Sequence, residues 1–121
     1  MKCIRCDHDS KYKDRSNRKC PNCGGLLRPD VVWFEEPMPE LEMELAAQAT
    51  TTCNIFFSIG TSTVVFPAAA LPSEAKRSGA TVVEINPQPT PFTAQADFVF
   101  TGAAGIVLPN LLAKIISSRP R

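Results

Sequence analysis

Four of the five cysteines in this 121-residue chain lie near its beginning, in two pairs that each enclose two residues. The pairs are Cys3 with Cys6 and Cys20 with Cys23. Two such pairs joined by a loop are typical of a structural zinc ion held by four thiolates. The alternative is two unrelated reduced pairs. No secretory signal follows Met1, so we expect a reducing, cytoplasmic compartment in which disulfides are rare.

Two further residues could bind a metal or react, but each has a simpler interpretation. His8 is the only histidine and follows Cys6 by two residues. Four thiolates already complete a tetrahedron, which favours a solvated loop histidine. Cys53 stands alone before an apolar run, which is typical of a small buried residue.

The net charge of +1 conceals two regions of opposite sign. Residues 1–28 contain eight Lys or Arg against three Asp, whereas residues 29–121 contain five against nine Asp or Glu. We therefore predict a zinc-binding module at 1–28 and a second domain at 29–121. Four thiolates around zinc would reduce the basic excess, and Tyr12 is the only aromatic residue among the basic ones, which argues against nucleic-acid binding. A non-catalytic zinc-ribbon binding module remains an alternative function. No apolar run in the sequence is long enough to span a membrane.

The elements that must position any site alternate along the rest of the chain. Apolar runs at 54–59 and 80–85 predict strands buried on both faces. Such alternation predicts an α/β fold, a partial doubly wound (Rossmann-like) parallel sheet with a small zinc-ribbon module of four cysteines. The other predicted strands are 30–34 and 97–100, and the predicted helices are 39–49, 67–78 and 105–117.

Small and polar residues follow three predicted strands at their carboxyl ends, where open α/β sheets bind ligands. Gly60-Thr61-Ser62 offers backbone and hydroxyl donors for a phosphate or ribose. Asn86-Pro87-Gln88 offers an amide on a loop stiffened by proline, and 101–104 is a stretch of small residues that a flat ring could approach. Each is also compatible with a simple turn. Together they predict a nucleotide site.

The order and spacing of these motifs resemble a known family. After the cysteine pairs comes Leu27-Arg28-Pro29-Asp30-Val31-Val32-Trp33-Phe34 with Glu36, then Gly60-Thr61-Ser62, then Ile85-Asn86-Pro87. This pattern resembles the carboxyl-terminal half of a sirtuin, the NAD-dependent protein lysine deacylase family, over nearly all of the chain. The resemblance implies that 29–121 is the carboxyl-terminal part of a Rossmann-like NAD-binding domain.

The resemblance also implies roles for individual residues, with structural Zn²⁺ and NAD as cofactors and an acyl-lysine protein or peptide as partner. The cysteine pairs would hold the zinc. The substrate peptide would pair as a strand with a segment that includes Val32, Phe34, Glu35 and Glu36. The NAD contacts would be Gly60, Thr61, Ser62, Asn86, Pro87, Gln88 and Ala104.

The sequence departs from the family pattern in two ways. Sirtuins usually have glycine at the position of Glu35, so we expect peptide binding to be impaired or shifted toward basic peptides. The family's Gly-Ala-Gly loop, its Gln-Asn-Ile-Asp segment and its catalytic histidine ahead of Cys3 do not occur in this chain, and His8 follows Cys3. We therefore expect no catalytic residue in this chain and no turnover by the chain alone. We also expect at most weak binding of ADP-ribose or NAD. An exposed sheet edge should lead to self-association.

Overall fold

The computed structural model describes residues 1–9 and 18–118, which belong to two compact units, Met1–Pro39 and Glu40–Arg121. In the first unit, β1 (Lys2–Cys3) pairs antiparallel with β2 (Leu27–Arg28). Its buried hydrophobic cluster consists of Cys3, Cys20 and Leu27. Tyr12, which entered the prediction against nucleic-acid binding, lies outside the described residues.

The strand predicted at 30–34 is wrong. The segment forms bends and a turn instead. Two features oppose a straight strand, because the Arg28 guanidinium binds the Glu36 carboxylate across the segment and Glu35 adopts a left-handed φ of 71°. Despite its β-rich composition, the run therefore forms a closed loop with exposed side chains.

The second unit is an α/β layer whose elements are α1 (Glu40–Thr52), β3 (Ile55–Ile59), α2 (Leu71–Arg77), β4 (Thr81–Asn86), β5 (Phe98–Thr101) and α3 (Ala104–Ser117). The strands form a three-stranded parallel sheet in the order β3-β4-β5. This confirms the predicted fold class. Short 3₁₀ turns at Ala68–Ala70 and Thr93–Gln95 precede α2 and β5.

Proline and glycine set the bounds of α2. Pro72 lies in its first turn, where a backbone N–H is not needed, so the helix is not broken there. Gly79 follows the helix with a φ of 93° and donates its N–H to the Lys76 carbonyl at 3.1 Å. In α3, by contrast, the helix begins at Ala104 and continues through Pro109.

The core of the second unit lies between the sheet and α2, which packs on β3 and β4. Ala75, Ala80, Val82 and Phe92 form this core, and the half-buried Cys53 packs against it. None of the described helices is long and apolar enough to cross a membrane.

One outer strand of the sheet, β3, differs from the sequence expectation, whereas the central strand β4 agrees with it. β4 is buried along its length, as predicted. In β3, Ser58 is buried, but Ile55, Phe57 and Ile59 point to the opposite face and are 56%, 46% and 39% exposed. The prediction that β3 is buried on both faces is therefore wrong for the described residues, in which β3 is an outer strand covered on one face.

Candidate functional site

The four paired cysteines form one cluster in the first unit, with all four sulfur atoms within 4.8 Å of one another. The Cys3 and Cys23 sulfurs are 3.5 Å apart, and those of Cys6 and Cys20 are 3.8 Å apart. A tetrahedron with zinc–sulfur bonds of about 2.3 Å has sulfur–sulfur edges of about 3.8 Å. The cluster is therefore compatible with a zinc ion. His8 is exposed and is not one of the clustered residues.

Backbone N–H groups from the tight turns point at the sulfur atoms. Arg5 donates to Cys3, Asn22 to Cys20 and Gly25 to Cys23, each at 3.4 Å. Such donors stabilise negative charge on sulfur and orient it.

Gly25 also leaves room that a side chain would fill. A Cβ at this position would lie 3.0 Å from the Arg5 Cβ, 3.2 Å from the Cys23 sulfur and 3.3 Å from the Cys3 sulfur. A glycine at this position therefore avoids crowding two of the sulfur atoms.

Without a cation, the sulfurs hold their protons unequally. The Arg5 N–H, aided by other donors and opposed by burial, lowers the pKa of the Cys3 thiol from 9.0 to about 6. At Cys23 the Gly25 N–H lowers the pKa, but Cys6, burial and the remaining thiols outweigh it and raise the pKa to about 12. A divalent cation holds all four sulfurs as thiolates, so the donor set suits a metal better than free thiols.

A bidentate ion pair closes the loop that follows the cluster. Arg28 Nη1 and Nη2 donate to Glu36 Oε1 and Oε2 at 2.5 and 2.7 Å, and Nη2 also donates to the Val31 carbonyl. The guanidinium lies 4.2 Å from the centroid of the Trp33 ring. The Arg28 hydrogen bond, followed by the Trp33 N–H, lowers the pKa of Glu36 to about 2. We call residues 28–36 the latch loop.

The latch loop leaves other groups unpaired. Within the described residues, no hydrogen bond is made by the backbone of Val32 or Phe34. Phe34 is 85% exposed, and Val32 lines an open groove of about 480 Å³. A peptide strand could therefore bind these backbone groups without displacing an internal partner.

The nucleotide-type segments of the second unit meet at the carboxyl edge of the sheet. Gly60, with a φ of 63°, donates its N–H to the Ile85 carbonyl at 2.9 Å. Asn86 Nδ2 donates to the Thr61 carbonyl at 2.7 Å, which ties the end of β3 to the end of β4. The Gly102 N–H donates to the Asn86 carbonyl at 3.1 Å, which ties β5 to the same point.

The remaining predicted contacts lie around this edge. Ser62 and Pro87 are exposed, and Gln88 donates its N–H to Asn86 Oδ1 at 3.4 Å. Ala104 is half-buried at the first position of α3. The structure therefore brings the ends of β3, β4 and β5 together, with Asn86 as the residue bonded to both neighbours.

Sequence reasoning missed several residues that shape these sites. It gave no role to Arg28, because an ion pair across eight residues has no local signature. It also missed Glu84, which is buried and accepts hydrogen bonds from the hydroxyls of Thr90 and Thr93 in the loop after β4. A charged residue inside an apolar strand was the available signal.

Comparison with known proteins agrees with this arrangement. A model of the Sir2 family matches residues 1–67. An NAD-dependent protein deacylase of Pyrococcus furiosus is 43% identical over an alignment that covers 95% of this chain and 50% of that protein.

Solved structures give the same result. A Sir2 homolog in complex with NAD has 37% identity and a TM-score of 0.82, and the match covers 97% of this chain and 47% of that one. A complex of Sir2 with a p53 peptide and NAD⁺ has 27% identity and a TM-score of 0.79, covering 97% and 52%. The chain spans about half the length of the relatives it matches. Because the family model covers more than half of the chain and the likeness extends over nearly all of it, this chain belongs to the Sir2 family, the sirtuins.

Proposed function

We propose that this chain is the carboxyl-terminal part of an NAD-dependent protein lysine deacylase, a transferase of the acyl group to ADP-ribose. The observation that carries the proposal is the 2.7 Å hydrogen bond from Asn86 to the Thr61 carbonyl. This bond joins two of the predicted NAD segments at the edge of a parallel sheet where such folds bind nucleotides. The related deacylases and the neighbour crystallised with NAD support it.

In this proposal residues 1–28 bind structural zinc through the four clustered cysteines, and residues 29–121 contribute to the NAD-binding domain. Zinc would hold the module folded, since a four-thiolate site has no open position for a substrate. Bound NAD would supply the ADP-ribose that accepts the acyl group. Gly60, Thr61 and Ser62 would bind its ribose and phosphate region, and Asn86, Pro87, Gln88 and Ala104 its adenosine end.

The latch loop would bind the acyl-lysine peptide. Val32 and Phe34 are two residues apart, and their backbone groups have no hydrogen-bond partner among the described residues, which is what strand addition requires. Glu35 and Glu36 would lie at the end of this segment. The neighbours solved with a p53 peptide and with a propionylated peptide support a peptide site.

We further propose that the chain alone does not turn over. Its only histidine, His8, is exposed in the cysteine module and has no role in the proposed site. A positioned general base is worth about 10²–10⁴-fold in rate, and the predicted half of the NAD pocket binds only part of the cofactor.

The test is reconstitution. The region of the Pyrococcus furiosus deacylase that this chain does not match is fused ahead of it, and NAD-dependent deacetylation of an acetyl-lysine peptide is measured. We expect turnover from the fusion, none from the chain alone, and a raised KM for NAD in Asn86→Ala. Asn54→Ala, at the opposite end of the sheet, is the matched control. Robust turnover by the chain alone, or a well-folded fusion with neither turnover nor NAD binding, would refute the proposal.

A non-catalytic ADP-ribose binder is the second candidate, favoured by the same Asn86 contact. Titration calorimetry of the isolated chain with ADP-ribose distinguishes this binder from part of a deacylase. We expect millimolar or weaker affinity, because the family's phosphate loop is not among these residues. Micromolar affinity would show that this edge is a complete site by itself.

The chain is also proposed to act in the cytoplasm and to self-associate in isolation. Ile55, Phe57 and Ile59 expose apolar surface along an outer strand whose other edge has no partner among the described strands. Sedimentation should show concentration-dependent association that Phe57→Lys reduces. A monomer at all concentrations would contradict the self-association.

A further inference from the structure

The latch loop carries negative charge that its own ion pair does not neutralise. Of its three acidic residues, Glu36 is fully engaged by Arg28. Asp30 and Glu35 make no ion pair or hydrogen bond within the described residues, and both are exposed. The loop therefore presents two unpaired carboxylates around an apolar segment.

The positions of these carboxylates bracket the proposed peptide-binding backbone. Asp30 precedes Val32 by two residues and lines the same groove. Glu35 directly follows Phe34 and adopts a φ of 71°, a conformation that costs a residue with a side chain about 1 kcal/mol or more. This site thus has a carboxylate at each end of the free backbone groups, and one of them occupies a backbone position better suited to glycine.

We propose that the latch loop selects acyl-lysine peptides that carry Lys or Arg beside the acyl-lysine, with Glu35 and Asp30 as the specificity-determining residues. The inference rests on the proposed peptide site and names its substrate class. An acyl-lysine has lost its own charge, so the attraction must come from its neighbours. A basic neighbour at the Glu35 end meets a carboxylate that has no ion-pair or hydrogen-bond partner among the described residues. At the Asp30 end it meets a carboxylate that is attracted to Arg28 but makes no direct ion pair with it.

The expected effect is modest because both carboxylates are exposed. Exposed ion pairs contribute roughly a two- to fivefold change in affinity each, and salt screens them. We therefore expect a basic-flanked peptide to bind roughly five- to twentyfold more tightly than an acidic-flanked one of equal length at low ionic strength, with the ratio approaching one in high salt.

Trp33 provides the assay, since it is the chain's only tryptophan and lies between the two carboxylates. The zinc-loaded 121-residue chain is titrated with tryptophan-free acetyl-lysine peptides flanked by Lys or by Glu, and Trp33 emission is followed. Anisotropy of a labelled peptide provides a second readout. The variants are Glu35→Gln, which removes charge only, Asp30→Asn, and Glu44→Gln on α1 as a control of equal charge change.

Each outcome decides the proposal. A basic preference that falls in Glu35→Gln and Asp30→Asn, persists in Glu44→Gln and weakens with salt supports it. Equal binding of both peptides, or a preference unchanged in a variant that combines Glu35→Gln with Asp30→Asn, overturns the charge selectivity while leaving the peptide site intact. No response to either peptide at millimolar concentration overturns the peptide site itself, and with it this inference.

Discussion

Removing zinc should unfold the first unit and leave the second folded. The perturbation is a strong chelator applied to the reduced, zinc-loaded chain. The expected separation follows from how little apolar material the first unit buries. Among its described residues, Leu27 is the only buried hydrophobic residue that is not a cysteine.

Zinc binding should contribute much more folding free energy to the first unit than side-chain packing does. Burying one leucine side chain contributes about 1.5–3 kcal/mol. A four-thiolate zinc site contributes an apparent 10–16 kcal/mol at about pH 7. Leu27 alone cannot replace that free energy. The second unit has its own core around Val82, so its stability should not depend on the metal.

Two signals report the two units separately. Trp33 is the only tryptophan and lies in the first unit, so its anisotropy should fall when the contact with Arg28 is lost. All three α-helices described belong to the second unit, so far-ultraviolet circular dichroism should change little. Cys53→Ser, which removes the thiol outside the cluster, should behave as the parent chain does.

Two results would refute the expectation that zinc loss unfolds only the first unit. A Trp33 signal unchanged after thiol titration has shown complete metal loss would mean that packing alone holds the first unit. Loss of helix in parallel with zinc would mean that the two units fold together. Restoring zinc should restore the Trp33 signal.

Three further changes test individual contacts. Gly25→Ala should weaken zinc binding by roughly 10–100-fold in a competitive chelator assay, because its Cβ would press on two sulfurs, whereas Gly105→Ala has open space around it and should not. Ser58→Ala should raise the urea-unfolding free energy of the second unit by about 1 kcal/mol, because the buried hydroxyl has no hydrogen-bond partner in the described part of the chain, and a loss of stability would contradict this. Lys76, then the Val82 N–H, lower the pKa of Asp97 below its unfolded value, so its stabilisation is present above about pH 4 and is lost as pH falls further. The melting temperature of the parent chain should therefore drop more between about pH 6 and pH 3 than that of Asp97→Asn, and equal slopes would refute the assignment.

The local elements of the second unit were largely predictable. Apolar runs and their flanking glycines located β3 and β4 to within a residue or two, because strand formation there depends on patterns a few residues long. The presence of α2 around Pro72 could also be predicted locally, although its start at Leu71, after a 3₁₀ turn, could not. The parallel direction of the strands followed from the alternation of strands and helices, whereas their order in the sheet was not predicted.

The cysteine cluster was predictable for a different reason. The spacing within each pair is set by a single tight turn, so sequence distance and spatial distance are coupled. The latch loop shows the opposite case. Arg28 reaches Glu36 over eight residues, and this contact converts a β-rich run into a closed loop. No local propensity contains that information.

The apolar pattern of β3 indicates an environment that the described residues do not provide. Its alternate residues Ile55, Phe57 and Ile59 are as apolar as the buried valines and isoleucine of β4, yet they are exposed. A strand covered on one face normally carries polar residues on the other, so the residue pattern of β3 is that of a strand buried on both faces. The chain spans about half the length of its relatives, and additional polypeptide against this face and edge would satisfy the pattern. The same argument explains why self-association is expected in isolation: a second copy is the nearest available cover for a surface whose sequence is that of an interior.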